Sequence, residues 1–314
     1  MRESAIRVSL RFVADTTTPG FADRLVARVA ERESQIVLGI DPDPMALWDV
    51  AAAGFDGGGS AGERTARAVL VHCRALIDAA GPACVAAKPQ LACFERLGAP
   101  GIAAFVEVIA AAREAGLLVI ADGKRGDAAM SSAAYGQAFA GLTPSPAGEV
   151  AGFGVDALTA NPLLGVDSLE PLIATGAGVF VLVRTSNPGA ADFQDLELAG
   201  GGALWEQVAR VVAGLGVAGE SGFSDVGAVV GATAPGHLAR ARELMPQTVF
   251  LLPGVGAQGG RVEDLAPAFA SGRAGGLVSA SRSVADARDG DGGDAPGAAR
   301  REVERLRALA WALG

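Results

Sequence analysis

The sequence predicts a single-domain α/β fold, a (β/α)8 barrel of the TIM type, and three observations predict it. Eight short apolar runs of strand length recur along the chain, rich in Val, Ile, Leu and Ala. Stretches with helical spacing separate most of them, an order that gives parallel pairing through right-handed crossovers. Nearly every run ends in polar or charged residues, and such barrels build their sites at the C-terminal face of the strands. A doubly wound open sheet is the alternative; the recurrence of polar strand ends favours the closed barrel.

In chain order, Phe21–Glu33 places Phe21, Leu25, Val26 and Val29 at helical spacing with charges between, as expected of a helix lying across the bottom of the domain. Ile36–Ile40 is the first strand, stopped by Asp41-Pro42-Asp43-Pro44, where proline cannot continue a ladder. A glycine-rich linker, Gly57–Ser60, precedes a helix over Glu63–Ala80 and a second strand over Cys84–Pro89. A helix over Gly101–Ala115 leads to the third strand, Leu117–Ala121, which runs into Asp122-Gly123-Lys124-Arg125-Gly126-Asp127. Next come a helix over Ser131–Ala140, a strand over Val155–Thr159 closing on Asn161-Pro162, and a short helix from Ser168. The fifth strand, Gly178–Val183, ends in Arg184-Thr185-Ser186-Asn187-Pro188, and a long polar segment separates it from a helix over Ala203–Gly214. Val226–Val230, Val249–Leu252 and Gly276–Ser279 are strands six to eight, with a helix expected from Arg261. The Gly/Asp-rich stretch 286–297 reads as a flexible loop before a last helix, Ala298–Leu313. The barrel domain is therefore residues 21–314, and residues 1–20 read as a frayed extension.

Composition narrows the function. With 314 residues, 50% of them hydrophobic, the chain can bury a large core. A net charge of -9 argues against a nucleic-acid binder, which needs surplus Lys and Arg, so any phosphate site must be local. Cys73, Cys84 and Cys93 are odd in number and lack metal or redox spacing, which fits core thiols in a reducing, cytoplasmic setting. His72 and His237, the only histidines, leave little material for a His-rich metal site or a Ser-His-Asp triad and read as structural. No apolar run reaches membrane-span length, and the N-terminal stretch has no signal-peptide core, so neither membrane insertion nor secretion is expected.

Two regions carry chemistry. Asp122 and Lys124, two apart on a strand, would face the same way, with Asp127 in the loop beyond. Two carboxylates flanking one ammonium at the mouth of a buried strand are costly to desolvate, and such clusters are usually kept for chemistry. The bland reading is a solvated loop whose charges cap the next helix. The second region is Gly254-Val255-Gly256-Ala257-Gln258-Gly259-Gly260, a turn that would deliver backbone N–H groups to an anion. Ser279-Ala280-Ser281-Arg282-Ser283 adds a fixed cation after the eighth strand, and the loops after strands seven and eight are where such barrels hold phosphate. A surface ion pair is the alternative for Arg282.

Together, Lys88-Pro89-Gln90, the Asp122–Asp127 run, Thr185-Ser186-Asn187-Pro188-Gly189, Pro253–Gly260 and Ser281-Arg282 resemble the orotidine 5'-phosphate decarboxylase family in its longer bacterial form. The likeness extends in order from about Phe21 to the C-terminus; Ala128 departs from it, standing where the family commonly has Ile, and the first twenty residues match nothing in it. The resemblance implies a barrel homodimer that works without cofactor or metal on orotidine 5'-phosphate. It implies that Lys124 protonates C6 of the pyrimidine, that Asp122 sits against the substrate carboxylate, and that Lys88 bridges Asp122 and the ribose. It further implies Asp41 on the ribose, Ser186 on the pyrimidine edge, Gln258 with Arg282 at the phosphate, Ser281 among the substrate-binding residues, and Asp127 completing the neighbouring site across the dimer. Gly189–Gly202 and the Gly254 loop are the segments expected to act as lids. Two rivals remain: a metal-dependent sugar-phosphate aldolase or keto-acid phosphate decarboxylase on the same scaffold, disfavoured by Lys-Pro-Gln and Thr-Ser-Asn-Pro, and a non-catalytic phosphate-ligand binder, which has no need of a self-repelling cluster.

Overall fold

In a computed structural model describing residues 19–233, 235–256, 259–287 and 294–314, eight parallel strands close into a barrel. The strands are β1 (Ile36–Ile40), β2 (Ala86–Pro89), β3 (Leu118–Arg125), β4 (Ala157–Ala160), β5 (Gly178–Arg184), β6 (Ser224–Val230), β7 (Thr248–Leu252) and β8 (Gly276–Ala280). They pair in chain order, and β1 closes the ring on β8 with Ile36 opposite Val278. The expected eight-strand barrel is therefore the observed one. All but the last two residues of the expected 1–20 extension lie outside the described residues.

Alternation along the strands divides the apolar side chains into two layers. Val37, Ile120, Phe180, Val229, Leu251 and Leu277 belong to an inner cluster. The helix α1 (Phe21–Arg32) closes this cluster at the bottom through Phe21, Leu25 and Val29, with Phe21 edge-on to Phe180 at 5.8 Å between ring centres. Ile36, Leu38 and Ile40 instead join the outer layer under α2 (Ala61–Ala80) and α3 (Ala99–Glu114), against Val69, Leu76 and Phe105. Ser60 starts α2 with a capping box: its Oγ accepts the Glu63 amide at 3.3 Å while Glu63 accepts the Ser60 amide at 2.6 Å.

The remaining α-helices of eight or more residues among the described residues are α4 (Ala129–Phe139), α5 (Val166–Ile173), α6 (Leu204–Leu215), α7 (Pro235–Leu244) and α8 (Ala295–Trp311), and short α-helical turns occupy Leu91–Glu95 and Arg282–Ala285. Three features depart from expectation. An exposed antiparallel hairpin, Leu142–Ser145 with Gly148–Ala151, is inserted before β4, where the sequence reading left a plain connection. The helix α7 was not anticipated, because its largely polar sequence has little apolar periodicity. The helix expected from Arg261 is a 3-10 helix, Val262–Phe269, with Pro267 inside it. Residues 288–293 of the expected flexible loop lie outside the described residues, and Asp294 caps α8 by accepting the Gly297 amide at 3.0 Å.

Cys73 and Cys84 are buried, which pushes both thiols up, and Cys93 is half-buried. His72 serves structure: its Nδ1 accepts the Trp48 amide at 3.1 Å. No helix among the described residues is long and apolar enough to cross a membrane.

The base of the barrel is pinned by Arg242 of α7, whose guanidinium donates to the carbonyls of Met245 (2.9 Å), Thr248 (2.8 Å), Ala268 (2.7 Å) and Gly275 (2.8 Å). It lies 3.8 Å from the centre of the Phe250 ring, and burial pulls its pKa down to about 10. A buried cation served only by carbonyls is expensive, but removing it orphans those carbonyls. Arg242→Met should therefore lower the unfolding free energy by about 3 kcal/mol in urea titrations while the folded fraction keeps full activity.

Candidate active site

The top of the barrel is organised by Asp122, only 5% exposed, near the end of β3. Its Oδ2 accepts from Lys88 Nζ of β2 at 2.7 Å and from Gln90 Nε2 at 3.3 Å. Its Oδ1 accepts from Lys124 Nζ at 2.6 Å and from Thr159 Oγ1 of β4 at 2.9 Å. Four donors from three neighbouring strands and their ends thus converge on one carboxylate. Burial alone would raise this carboxyl, but the ammonium groups of Lys88 and Lys124 more than offset it and hold it well below the usual carboxylate range. Burial likewise works against the Lys88 charge, yet Asp122 and Asp41 outweigh it, leaving the Lys88 pKa above its ordinary value.

The local backbone explains how Lys124 reaches the carboxylate. Lys124 sits at φ 46°, in the left-handed region that disfavours a residue with a Cβ, and the β3–β4 register shifts between Ala121 and Arg125. The Lys124 amide leaves the ladder and donates to Thr159 Oγ1 at 2.9 Å. Arg125 then faces the helical layer, where it pairs with Glu95 and lies 5.2 Å from the centre of the Tyr135 ring.

Above this cluster lies a cavity of about 490 Å³ whose wall includes Asp41, Lys88, Asp122, Lys124, Ser186, Ser281 and Arg282. Asp41 and Ser281 are tied by a hydrogen bond from the Ser281 hydroxyl. A Cβ on Gly39 would lie 2.6 Å from Ser281 Oγ and 3.1 Å from its Cα, so glycine in β1 lets the loop after β8 settle onto it. Trp48 Nε1 donates to the Ala285 carbonyl at 2.8 Å and fastens the same two loops. Arg282 stands exposed at the rim.

A family model described as "Orotidine 5'-phosphate decarboxylase / HUMPS family" matches residues 34–292. The chain belongs to that family. It is 42% identical over 305 residues to a protein of Deinococcus radiodurans named orotidine 5'-phosphate decarboxylase, covering 95% of this chain and 99% of the relative. Among solved structures it resembles Leishmania donovani OMP decarboxylase with TM-score 0.68 and 33% identity, covering 93% of this chain and 99% of that one. It also resembles Leishmania donovani UMP synthase, TM-score 0.70 and 34% identity, covering 93% of this chain and spanning 57% of that longer one.

Measured against the sequence expectations for an orotidine 5'-phosphate decarboxylase, seven of the named residues share the cavity wall. Asp127 does not; it is half-exposed, its carboxylate accepting the Ala128 amide at 2.7 Å and its carbonyl accepting Ser132 Oγ at 2.9 Å. The expected picture of two carboxylates around one ammonium is therefore inverted within one chain: two ammoniums flank Asp122, because Asp127 belongs to the start of α4 instead. Gln258 lies outside the described residues. In the glycine loop, the amides of Gly256, Gly259 and Gly260 donate to carbonyls of the loop itself, at 2.9, 2.8 and 3.0 Å, so these three are not the open anion cradle expected of them. Sequence reasoning missed Thr159, a hydroxyl at the end of an apolar strand, and gave no role to Gln90.

The depressed Asp122 pKa has a definite pH signature. Its contribution to stability is present above the unfolded-state value, about 3.9, and is lost as pH falls from there toward the lower folded value. Asp122→Asn should be less stable than wild type by about 3 kcal/mol at pH 7, with the gap constant down to about pH 5 and narrowing below about pH 4 in urea unfolding.

Proposed function

We propose that the chain decarboxylates orotidine 5'-phosphate to uridine 5'-phosphate without a cofactor, with Lys124 supplying the proton that replaces carbon dioxide. The observation that carries this reading is the placement of Lys124: its side chain is 45% exposed toward the cavity while that of its partner Asp122 is 7% exposed. Lys88 lines the same cavity with a side chain only 8% exposed, the less open of the two ammoniums. When the bond from C6 to the carboxylate breaks, its electron pair stays on a ring carbon with no adjacent carbonyl to receive it. A fixed ammonium is then the source of stabilisation, and its proton completes the new C–H bond as carbon dioxide leaves.

In this reading Asp122 lies beside the departing carboxylate and orients both lysines, Asp41 and Lys88 take the ribose, and Ser186 takes the pyrimidine edge. Arg282 and Ser281, with Gln258, take the phosphate, and the binding energy of that remote group helps to hold the ring against Lys124. Family membership supports the substrate, since relatives of nearly full length carry the name of this activity. The free thiols support a cytoplasmic setting.

The same reading makes the enzyme a homodimer in which Asp127 serves the neighbouring site. Supporting it, the Asp127 loop adjoins the loop after β4 through the Asn161 amide, which donates to the Arg125 carbonyl at 2.7 Å. These two segments expose Met130 (88%), Leu163 (79%) and Leu164 (51%), apolar surface of the kind a partner subunit covers.

Purified protein should consume orotidine 5'-phosphate in the presence of a chelator, followed by loss of the orotate chromophore. Lys124→Ala should reduce kcat by at least about 10³-fold while uridine 5'-phosphate still binds in calorimetry; unimpaired turnover would refute the acid assignment. Mixing inactive Lys124→Ala with inactive Asp127→Ala should restore activity in heterodimers, and its absence in heterodimers shown to form counts against the shared site.

A further inference from the structure

The segment after β5, expected to act as a lid, is held against the end of that strand by a hydrogen-bonded strut. Arg184 at the end of β5 grips Asp195 with two prongs, Nε to Oδ1 at 2.7 Å and Nη2 to Oδ2 at 2.8 Å. The preceding residue, Gln194, turns back onto Thr185. Its Oε1 accepts the Thr185 amide at 2.8 Å, and its Nε2 donates to Thr185 Oγ1 at 3.0 Å. That hydroxyl donates onward to Asn187 Oδ1 at 2.7 Å, and the Thr185 carbonyl accepts from Arg184 Nη1 at 2.5 Å. The amide, carbonyl and hydroxyl of Thr185 are thus all engaged.

The next residue is Ser186, on the cavity wall, and Gln194 lines the same cavity. From behind, Gly231 packs so closely that a Cβ on it would lie 2.8 Å from Ser186 N and Cα, and the Gly231 amide donates to the Arg184 carbonyl at 2.7 Å. The strut is itself rooted on α6: the Trp205 amide donates to the Gln194 carbonyl and the Leu204 amide to the Leu196 carbonyl, both at 2.9 Å.

We propose that Gln194, held in place by the Arg184–Asp195 pair, is a positioning residue that fixes the Thr185–Ser186 turn so that Ser186 meets the pyrimidine edge. This rests on the role given above to Ser186. Magnitudes favour positioning over bulk stability. Two half-buried hydrogen bonds are a small part of the gross energetics of a barrel this size, yet enough to change a rate about tenfold where a substrate-binding group must be aimed.

The test compares Gln194→Ala, Ser186→Ala and the double variant. Gln194→Ala should lose about tenfold in kcat/KM for orotidine 5'-phosphate, with no change in inhibition by ribose 5-phosphate, which has no base to misplace. The double variant should be no slower than Ser186→Ala alone. Full kcat/KM in Gln194→Ala, an equal weakening of ribose 5-phosphate, or additive losses in the double variant would each overturn the proposal. Should Ser186→Ala alone be silent, the pyrimidine role of Ser186 fails, and Gln194 is judged by hydrogen exchange at the Thr185 and Ser186 amides. Faster exchange in Gln194→Ala then upholds the fixing of the turn, and unchanged exchange overturns it.

Discussion

The structure depends on one buried carboxylate being kept charged. Asp122 is removed from water, and that alone would drive it toward its neutral form; two ammoniums, an amide and a hydroxyl restore what water would have given. The donors come from the ends of three strands, so the cluster exists only when β2, β3 and β4 are in register. Folding and assembly of the site are in this sense one event. A carboxylate with both oxygens engaged from opposite sides also has no freedom to rotate, so both lysines inherit its rigidity.

The two ends of the barrel divide the work. At the base, α1 and Arg242 close the core with apolar contact and carbonyl hydrogen bonds, and the upper members of the same inner cluster, Val229 and Leu251, form part of the cavity wall. At the top, loops are fastened to one another rather than to the core: Ser281 to Asp41, Trp48 to Ala285, Gln194 to Thr185.

Much of this was legible in the sequence, and the reasons are physical. The eight runs could be read because buried parallel strands need unbroken apolar stretches, and Lys88, Asp122 and Lys124 stood out because charge at the end of such a stretch is costly unless used. Inference failed where partners are chosen across the fold. Thr159 is indistinguishable by type from any threonine in a strand, and only its contacts with Asp122 and the Lys124 amide reveal it. Gln194 lies in a segment whose polar composition reads as mobile until its bonds to Thr185 are seen. Asp127, three residues beyond Lys124, lies past the end of β3 in the turn before α4, so spacing alone did not show how far apart the two stand within one chain.

The left-handed backbone at Lys124 has a consequence for protein engineering. Simple strand alternation already puts residues 122 and 124 on one side, but it does not bring an ammonium back onto a carboxylate while leaving it open to the cavity. Here the aim is set by a kinked main chain and a hydroxyl from the adjacent strand. Grafting Lys-Asp-Lys onto a regular barrel would reproduce the residue types without the direction, so a scaffold chosen to receive this chemistry must carry the bulge and its threonine as well.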